Sequence, residues 1–186
     1  MNMQLNDYDS DSLAKNTFQT TGYNMSQIFD QSIIDAIKNV SLDRSKLVVL
    51  LGAFGTGKTR ILKKIAKKTD GVYLNLNWEL SERLLKMPRN AMNDGVTVHK
   101  LIDEICDFFS PKKEILFVDN IELLFSPELG KINPVDTFKR ISRQRPVVIA
   151  LPAFREGNLA VYSTPDSQDY FPVPLEDFVT IEVEKE

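Results

Sequence analysis

Leu47-Val48-Val49-Leu50-Leu51-Gly52-Ala53-Phe54-Gly55-Thr56-Gly57-Lys58-Thr59 decides how this chain is read. The apolar half follows the charged Lys46 and marks a strand over residues 46–51, buried on both faces. The second half satisfies Gly-x-x-x-x-Gly-Lys-[Ser/Thr] in full, and it stands after a buried strand and at the opening of a helix, as that motif requires. Each residue type has a physical reason. Gly52, Gly55 and Gly57 let the backbone turn and let ligand oxygens come close. The loop amides, those of Ala53, Phe54 and Thr56 included, form an anion nest, and the helix N-terminus adds partial positive charge. Lys58 is a compact charge suited to β- and γ-phosphates, and Thr59 offers a hydroxyl to Mg²⁺. The expected ligand is a nucleoside triphosphate, ATP with Mg²⁺.

Working outward, the helix is expected over 58–69. Ile61, Leu62, Ile65 and Ala66 lie on one side of it and Lys63, Lys64, Lys67 and Lys68 on the other, and Asp70-Gly71 stops it. Upstream, Ile28, Phe29, Ile33, Ile34 and Ile37 give a helical stripe that starts at Ser26 as N-cap. Residues 1–24 are polar, without a sustained period, and are expected to form a mobile arm. Downstream, strands are expected at 72–77, 115–118 and 147–151, an edge-like strand at 159–162 and a last one at 179–183. Helices are expected at 79–85, 97–109 and 134–143, the last with Pro134 as its first residue, and 89–96 reads as a loop. No internal repeat or low-complexity tract occurs. Strands alternating with helices predict parallel pairing and a three-layer α/β domain, with the loops after the strands on one sheet edge. The expected organisation is an arm at 1–24, a P-loop NTPase domain at 25–163 and a tail or edge extension at 164–186.

A chain of 186 residues fits one domain plus a tail. One cysteine, Cys106, excludes an internal disulfide and favours a reducing compartment. The start of the chain is polar and acidic, unlike a signal peptide, and the apolar run at 47–51 is too short to span a bilayer. The expectation is a cytoplasmic protein without a membrane partner. A net charge of −3 gives no general attraction for nucleic acid.

The second expected site is Ile115-Leu116-Phe117-Val118-Asp119, an apolar strand that delivers a carboxylate to the same sheet edge, where Asp119 would hold Mg²⁺. Many ATPases place a glutamate directly after this aspartate to activate water. Here the residue is Asn120, which can orient water but cannot accept a proton. Glu79, following the second strand, and Glu122 are the candidate replacements, with Glu79 preferred. Asn75 and Asn77 are open between site residues and strand-end caps. Arg140, Arg143 and Arg145 cluster before the fourth strand, where AAA+ ATPases carry arginine fingers. Arg143 and Arg145 are the preferred fingers for a neighbouring subunit's γ-phosphate. The same arginines also read as a solvated helix end or a nucleic-acid phosphate patch. His99 and Cys106 are too few for a zinc site. Phe54 and Trp78 offer faces to a base or a partner, with packing expected for Trp78.

The chain resembles the BrxF family, the small P-loop component of type 3 bacteriophage-exclusion (BREX) defence systems. The resemblance rests on GAFGTGKT at 52–59, YLNLNWELSERLLKMP at 73–88, FVDNIELLFSPEL at 117–129 and ISRQRPVV at 141–148. It implies an AAA+-like core, a role in phage defence beside a DNA methyltransferase and larger ATPases, and DNA contact through the complex. The polar sensor that many AAA+ proteins carry after the fourth strand is replaced by Leu151-Pro152-Ala153, and no helical lid is evident. Two functions follow: an ATPase active on assembly with itself or a partner, or a nucleotide-gated binding subunit with little turnover. A GTPase lacks support, because no Asn-Lys-x-Asp segment occurs, and a small-substrate kinase stays open.

Overall fold

The computed structural model describes residues 25–88 and 95–184. The arm at 1–24 and most of the loop expected at 89–96 lie outside the described residues. β1 (Leu47–Leu51) has all five residues buried, as its sequence demands, because it is paired on both edges and covered on both faces. The sheet around it has the order β2 (Val72–Asn75), β3 (Leu116–Asp119), β4 (Val147–Leu151), β1 and β8 (Val179–Glu182). Every neighbouring pair runs parallel. Parallel neighbours need long crossovers, and helices supply most of them.

Side chains alternate across the sheet with period two. Val48, Leu50, Phe117, Val148 and Ala150 face α1 (Met25–Val40) and α2 (Lys58–Lys68), where Ile33, Ile37, Leu62 and Ile65 meet them. Leu47, Val49, Leu51, Val118 and Ile149 point the other way. That second layer holds α3 (Leu76–Leu84), α4 (Gly95–Phe109) and α5 (Pro134–Ile141), with two 3₁₀ turns at Glu122–Phe125 and Pro127–Leu129. Helices therefore flank a parallel sheet, an α/β arrangement compatible with three layers. Asp30 fastens α1 to α2 by accepting from Lys64 and Lys68 at 2.7 and 2.6 Å. Burial alone would raise the Asp30 pKa, but the two lysines outweigh it and hold the carboxyl below its usual value.

Several elements differ from expectation for local reasons. The strand expected over 72–77 stops at Asn75, because the Asn75 side chain accepts from Trp78 N at 3.1 Å and caps α3 there. The alternating Leu-Asn-Leu-Asn run reads as strand, yet Leu76 is already helical. The first α-helix begins at Met25, so Ser26 lies inside its first turn and is not the N-cap; its hydroxyl accepts from Lys64 at 3.1 Å. Residues 159–162 are not an edge strand of the main sheet. They form β6, the middle strand of a separate antiparallel sheet with β5 (Phe154–Glu156) and β7 (Phe171–Pro174). Glu156 pairs with Leu159 across a two-residue turn in which Gly157 takes φ 59°, and Gly-Asn is a hairpin signal that the sequence carried. Residues beyond 164 supply β7 and β8, and β8 closes the sheet beside β1, with Val183 N donating to Leu51 O at 2.7 Å.

That last contact constrains Gly52. A Cβ built there would lie 2.4 Å from the carbonyl oxygen of Val183, which is backbone and can move only if β8 moves. Gly52→Ala is expected to lower stability by about 1–3 kcal/mol in urea denaturation. Gly95→Ala is the control, since no described residue lies within 4 Å of its Cβ position; it should be neutral or stabilise by about 0.4–1 kcal/mol.

Candidate functional site at the glycine-rich loop

Parallel strands joined by crossovers bring their C-terminal ends to one edge of the sheet. The 52–57 loop leaves the end of β1, and Asp119 ends β3. Only β4 stands between them, so the loop and the carboxylate face each other across two strand spacings, about 9.5 Å. Asp119 shares its side of the strand with Phe117, the side that α2 covers. The result is a cleft of about 620 Å³ whose lining includes Phe54, Lys58, Thr59, Asp119, Asn120 and Glu122. Arg60 and Lys63 add positive charge along it.

The loop conformation needs its glycines at two places: Gly55 and Gly57 sit at φ 78° and 88°, in the left-handed region. Helix α2 starts at Lys58 behind Gly57, which gives its N-terminus no side-chain cap, an arrangement that suits an anion. Lys58 is 7 % exposed. Its ammonium donates to Gly52 O at 2.6 Å, Ala53 O at 2.7 Å and Thr56 Oγ1 at 3.3 Å, and the Thr56 hydroxyl donates to Ala53 O at 3.0 Å. Burial lowers the Lys58 pKa, while the charges of Asp119 and Glu122 act against that shift. The ammonium thus closes the loop on itself, with two carboxylates near enough to be felt.

Asp119 is 4 % exposed and accepts from Tyr73 Oη through Oδ2 at 2.9 Å. Tyr73 stands on β2, one strand over, in register with Phe117. Burial raises its phenol pKa, and the adjacent Asp119 charge raises it further, so the hydroxyl stays a donor. The Lys63 ammonium lies 4.9 Å from the Tyr73 ring centre. Sequence reasoning missed Tyr73, and only the pairing of β2 with β3 reveals it.

The carboxylate at the cleft is Glu122 rather than Glu79. Glu79 sits in the first turn of α3 and binds Arg83 at 2.8 Å, an i,i+4 pair on its own helix. Asn120 takes φ 52°, a conformation that asparagine tolerates better than most residues. That bend brings the following 3₁₀ turn, and Glu122 with it, back to the cleft. Asn77 Nδ2 donates to Glu122 Oε2 at 2.7 Å. Asn77 Oδ1 accepts from Leu123 N at 3.1 Å, and Asn77 N donates to Asn120 O at 2.8 Å. Of the two open asparagines, Asn75 is the cap and Asn77 holds the segment after Asp119.

The arginines lie before β4, at the opposite end of that strand from the cleft. Arg145 is 2 % exposed. It donates to Cys106 O and Ser110 O at 2.8 Å each and pairs with Asp107, closing the C-terminal end of α4. A buried side chain with these partners is not presented to a neighbouring molecule, so the finger expected at Arg145 is corrected to a structural lock. Arg140 pairs with Asp103 at 2.6 Å, and Arg143 is exposed. His99 approaches the Thr137 hydroxyl at 3.4 Å, and burial pushes the Cys106 thiol up to about 12. Among the described residues no group of three or more His, Cys, Asp or Glu stands ready to hold a metal by itself. Phe54 is 63 % exposed and meets Tyr162 edge-on at 6.2 Å; Trp78, expected to pack, is 66 % exposed. Among the described residues no helix is long and apolar enough to cross a membrane. No protein-family model matches the chain, and no curated protein matches it significantly.

Because hydrogen bonds to a charged group are each worth about 1.5–3 kcal/mol, Arg145→Ala should lower stability by about 3 kcal/mol or more. Chemical denaturation of the purified variant checks this, and Arg143→Ala should leave the midpoint nearly unchanged.

Proposed function

We propose that the cleft binds ATP with Mg²⁺, and that the protein is a P-loop NTPase that turns ATP over slowly alone and faster when assembled. The observation that carries this reading is the gathering of Lys58, Thr59 and Asp119 in one cleft, around an uncapped helix N-terminus. Loop amides and Lys58 suit the phosphates. The donor set also fits the cation. Mg²⁺ is normally held by one or two protein oxygens together with substrate phosphates, not by an all-protein cage. Thr59 Oγ1 and the Asp119 oxygen not bonded to Tyr73 are the groups that would hold it. Bound there, it would neutralise charge on the phosphate oxygens. Lys58 must leave the Gly52 and Ala53 carbonyls to reach a phosphate, so binding should open the loop.

The AAA+-like reading is supported by the parallel sheet and by the position of Asp119. The phage-defence setting, its partner proteins and DNA contact rest on the resemblance to BrxF alone, and cytoplasmic location on composition. A second reading, a nucleotide-gated binding subunit with little turnover, draws support from Asn120 beside Asp119 and from the burial of Arg145.

Calorimetry with Mg²⁺ and ATP tests binding. Lys58→Ala should weaken affinity about 10- to 100-fold, the value of a charge-assisted contact. Asp119→Asn should keep most of the affinity measured without metal and lose most of its Mg²⁺ dependence. Equal affinity of wild type and Lys58→Ala would sink the P-loop reading.

Assembly is tested by mixing. Arg143 is the one preferred finger that stays exposed, and a finger supplied in trans raises phosphoryl-transfer rates by roughly 10³–10⁵-fold. Lys58→Ala subunits keep Arg143, and Arg143→Ala subunits keep the loop. Each should be inactive alone and partly active in combination. Turnover by Arg143→Ala at the wild-type rate across all protein concentrations would remove Arg143 from the mechanism.

A further inference from the structure

We infer that Glu122 is the base that takes the proton of the attacking water, and that Asn77 is the residue that positions it. The inference rests on the ATP reading above and assigns the group which that reading leaves open. Hydrolysis needs an acceptor for a water proton beside the phosphates. Asn120 cannot serve, since an amide does not take a proton at neutral pH, and Glu79 is engaged with Arg83 outside the cleft lining. Asp119 gives one oxygen to Tyr73, and its other oxygen is the one suited to the cation. Glu122 remains. It lines the same cleft as Lys58, and its charge is felt there.

The support around Glu122 goes beyond what a surface carboxylate needs. Asn77 bonds one carboxylate oxygen, Oε2, and leaves Oε1 for a water. The same asparagine binds the backbone on both sides, at Asn120 O and Leu123 N. Three contacts from one residue fix the segment that follows the proposed cation ligand. Asn77 is itself held in the first turn of α3 by the Asn75 cap, and Asn75 pairs in register with Asp119. The base and the proposed cation ligand are therefore built on neighbouring rigid elements, which is what a reacting geometry requires. A purely structural link between α3 and the 3₁₀ turn would be served by the two backbone contacts without a carboxylate in the cleft.

A water oxygen forms a bond to the γ-phosphorus of ATP while its proton passes to Glu122 Oε1. The bond from the γ-phosphorus to the β,γ-bridging oxygen breaks, and its electron pair leaves with ADP. Glu122 then returns the proton to solvent, and inorganic phosphate departs.

Steady-state hydrolysis and ATP calorimetry on the full chain, at the protein concentration of highest turnover, provide the test. Glu122→Gln keeps the length of the side chain and an acceptor for Asn77. It should bind Mg²⁺ and ATP like wild type and lose about 10²–10⁴-fold in kcat, the usual contribution of a general base. Asn77→Ala removes the bonds to Glu122 and Leu123 and should lower the melting temperature modestly, but it should lower kcat while KM and calorimetric affinity stay close to wild type, a split that loss of a merely structural contact would not give. Wild-type turnover in Glu122→Gln, or a larger loss in Glu79→Gln than in Glu122→Gln, overturns the inference and leaves ATP binding standing. Binding without turnover by the wild type in every assembly tried also overturns it. Failure of the wild type to bind ATP defeats the underlying reading instead.

Discussion

Pairing of β1 on both edges, with β4 and with β8, is the interaction on which the rest of the structure depends. A strand enclosed in this way exposes no unpaired backbone, and its five residues are free to be wholly apolar. The pairing also fixes where the chain leaves the sheet. Leu51 ends the strand with its carbonyl bound to Val183 N, and Gly52 N donates to Leu151 O at 3.2 Å. The loop that follows is anchored at its root by both neighbours, and the fit is close enough that position 52 has no room for a side chain. Gly52 therefore serves the sheet edge as well as any ligand.

The opposite wall of the cleft is held by different forces. The turn carrying Glu122 continues into Phe125, whose ring stacks on Tyr162 at 4.0 Å between centres and lies 5.7 Å from Phe171. Stacked and edge-on aromatic contacts add to the gain from burying the rings. Tyr162 in turn touches Phe54 in the glycine-rich loop. The small antiparallel sheet thus acts as a buttress, linking the 3₁₀ turn on one side of the cleft to the loop on the other. Its chain segment occupies the connection between β4 and β8, where a further helix would otherwise be expected.

Buried charge separates the two ends of the sheet. At the C-terminal edge Lys58, Asp119 and Glu122 are placed so that opposite charges soften the cost of taking an ammonium out of water. At the far end Arg145 donates from Nη1 to two helix-end carbonyls and pairs through Nη2 with Asp107, while its Nε is buried without a partner among the described residues. The first set differs in that Lys58 is held by acceptors of its own loop, Gly52 O, Ala53 O and Thr56 Oγ1.

The sequence by itself determined the apolar strands, the glycine-rich turn into α2 and the delivery of Asp119 to the same sheet edge. These are written in local periodicity and in residues with narrow conformational uses, and local information suffices for them. It did not determine which carboxylate reaches the cleft. Glu79 and Glu122 each follow a strand, and the difference lies in the Asn75 cap, which starts α3 early, and in the left-handed bend at Asn120, which turns the chain back. Arg145 and Arg143 are likewise two residues apart and alike in chemistry, yet one is buried against the end of α4 and the other is exposed. Tyr73 joins the site through strand pairing between residues 46 apart. Contacts of that separation are set by how elements dock, and no spacing within a short segment encodes them.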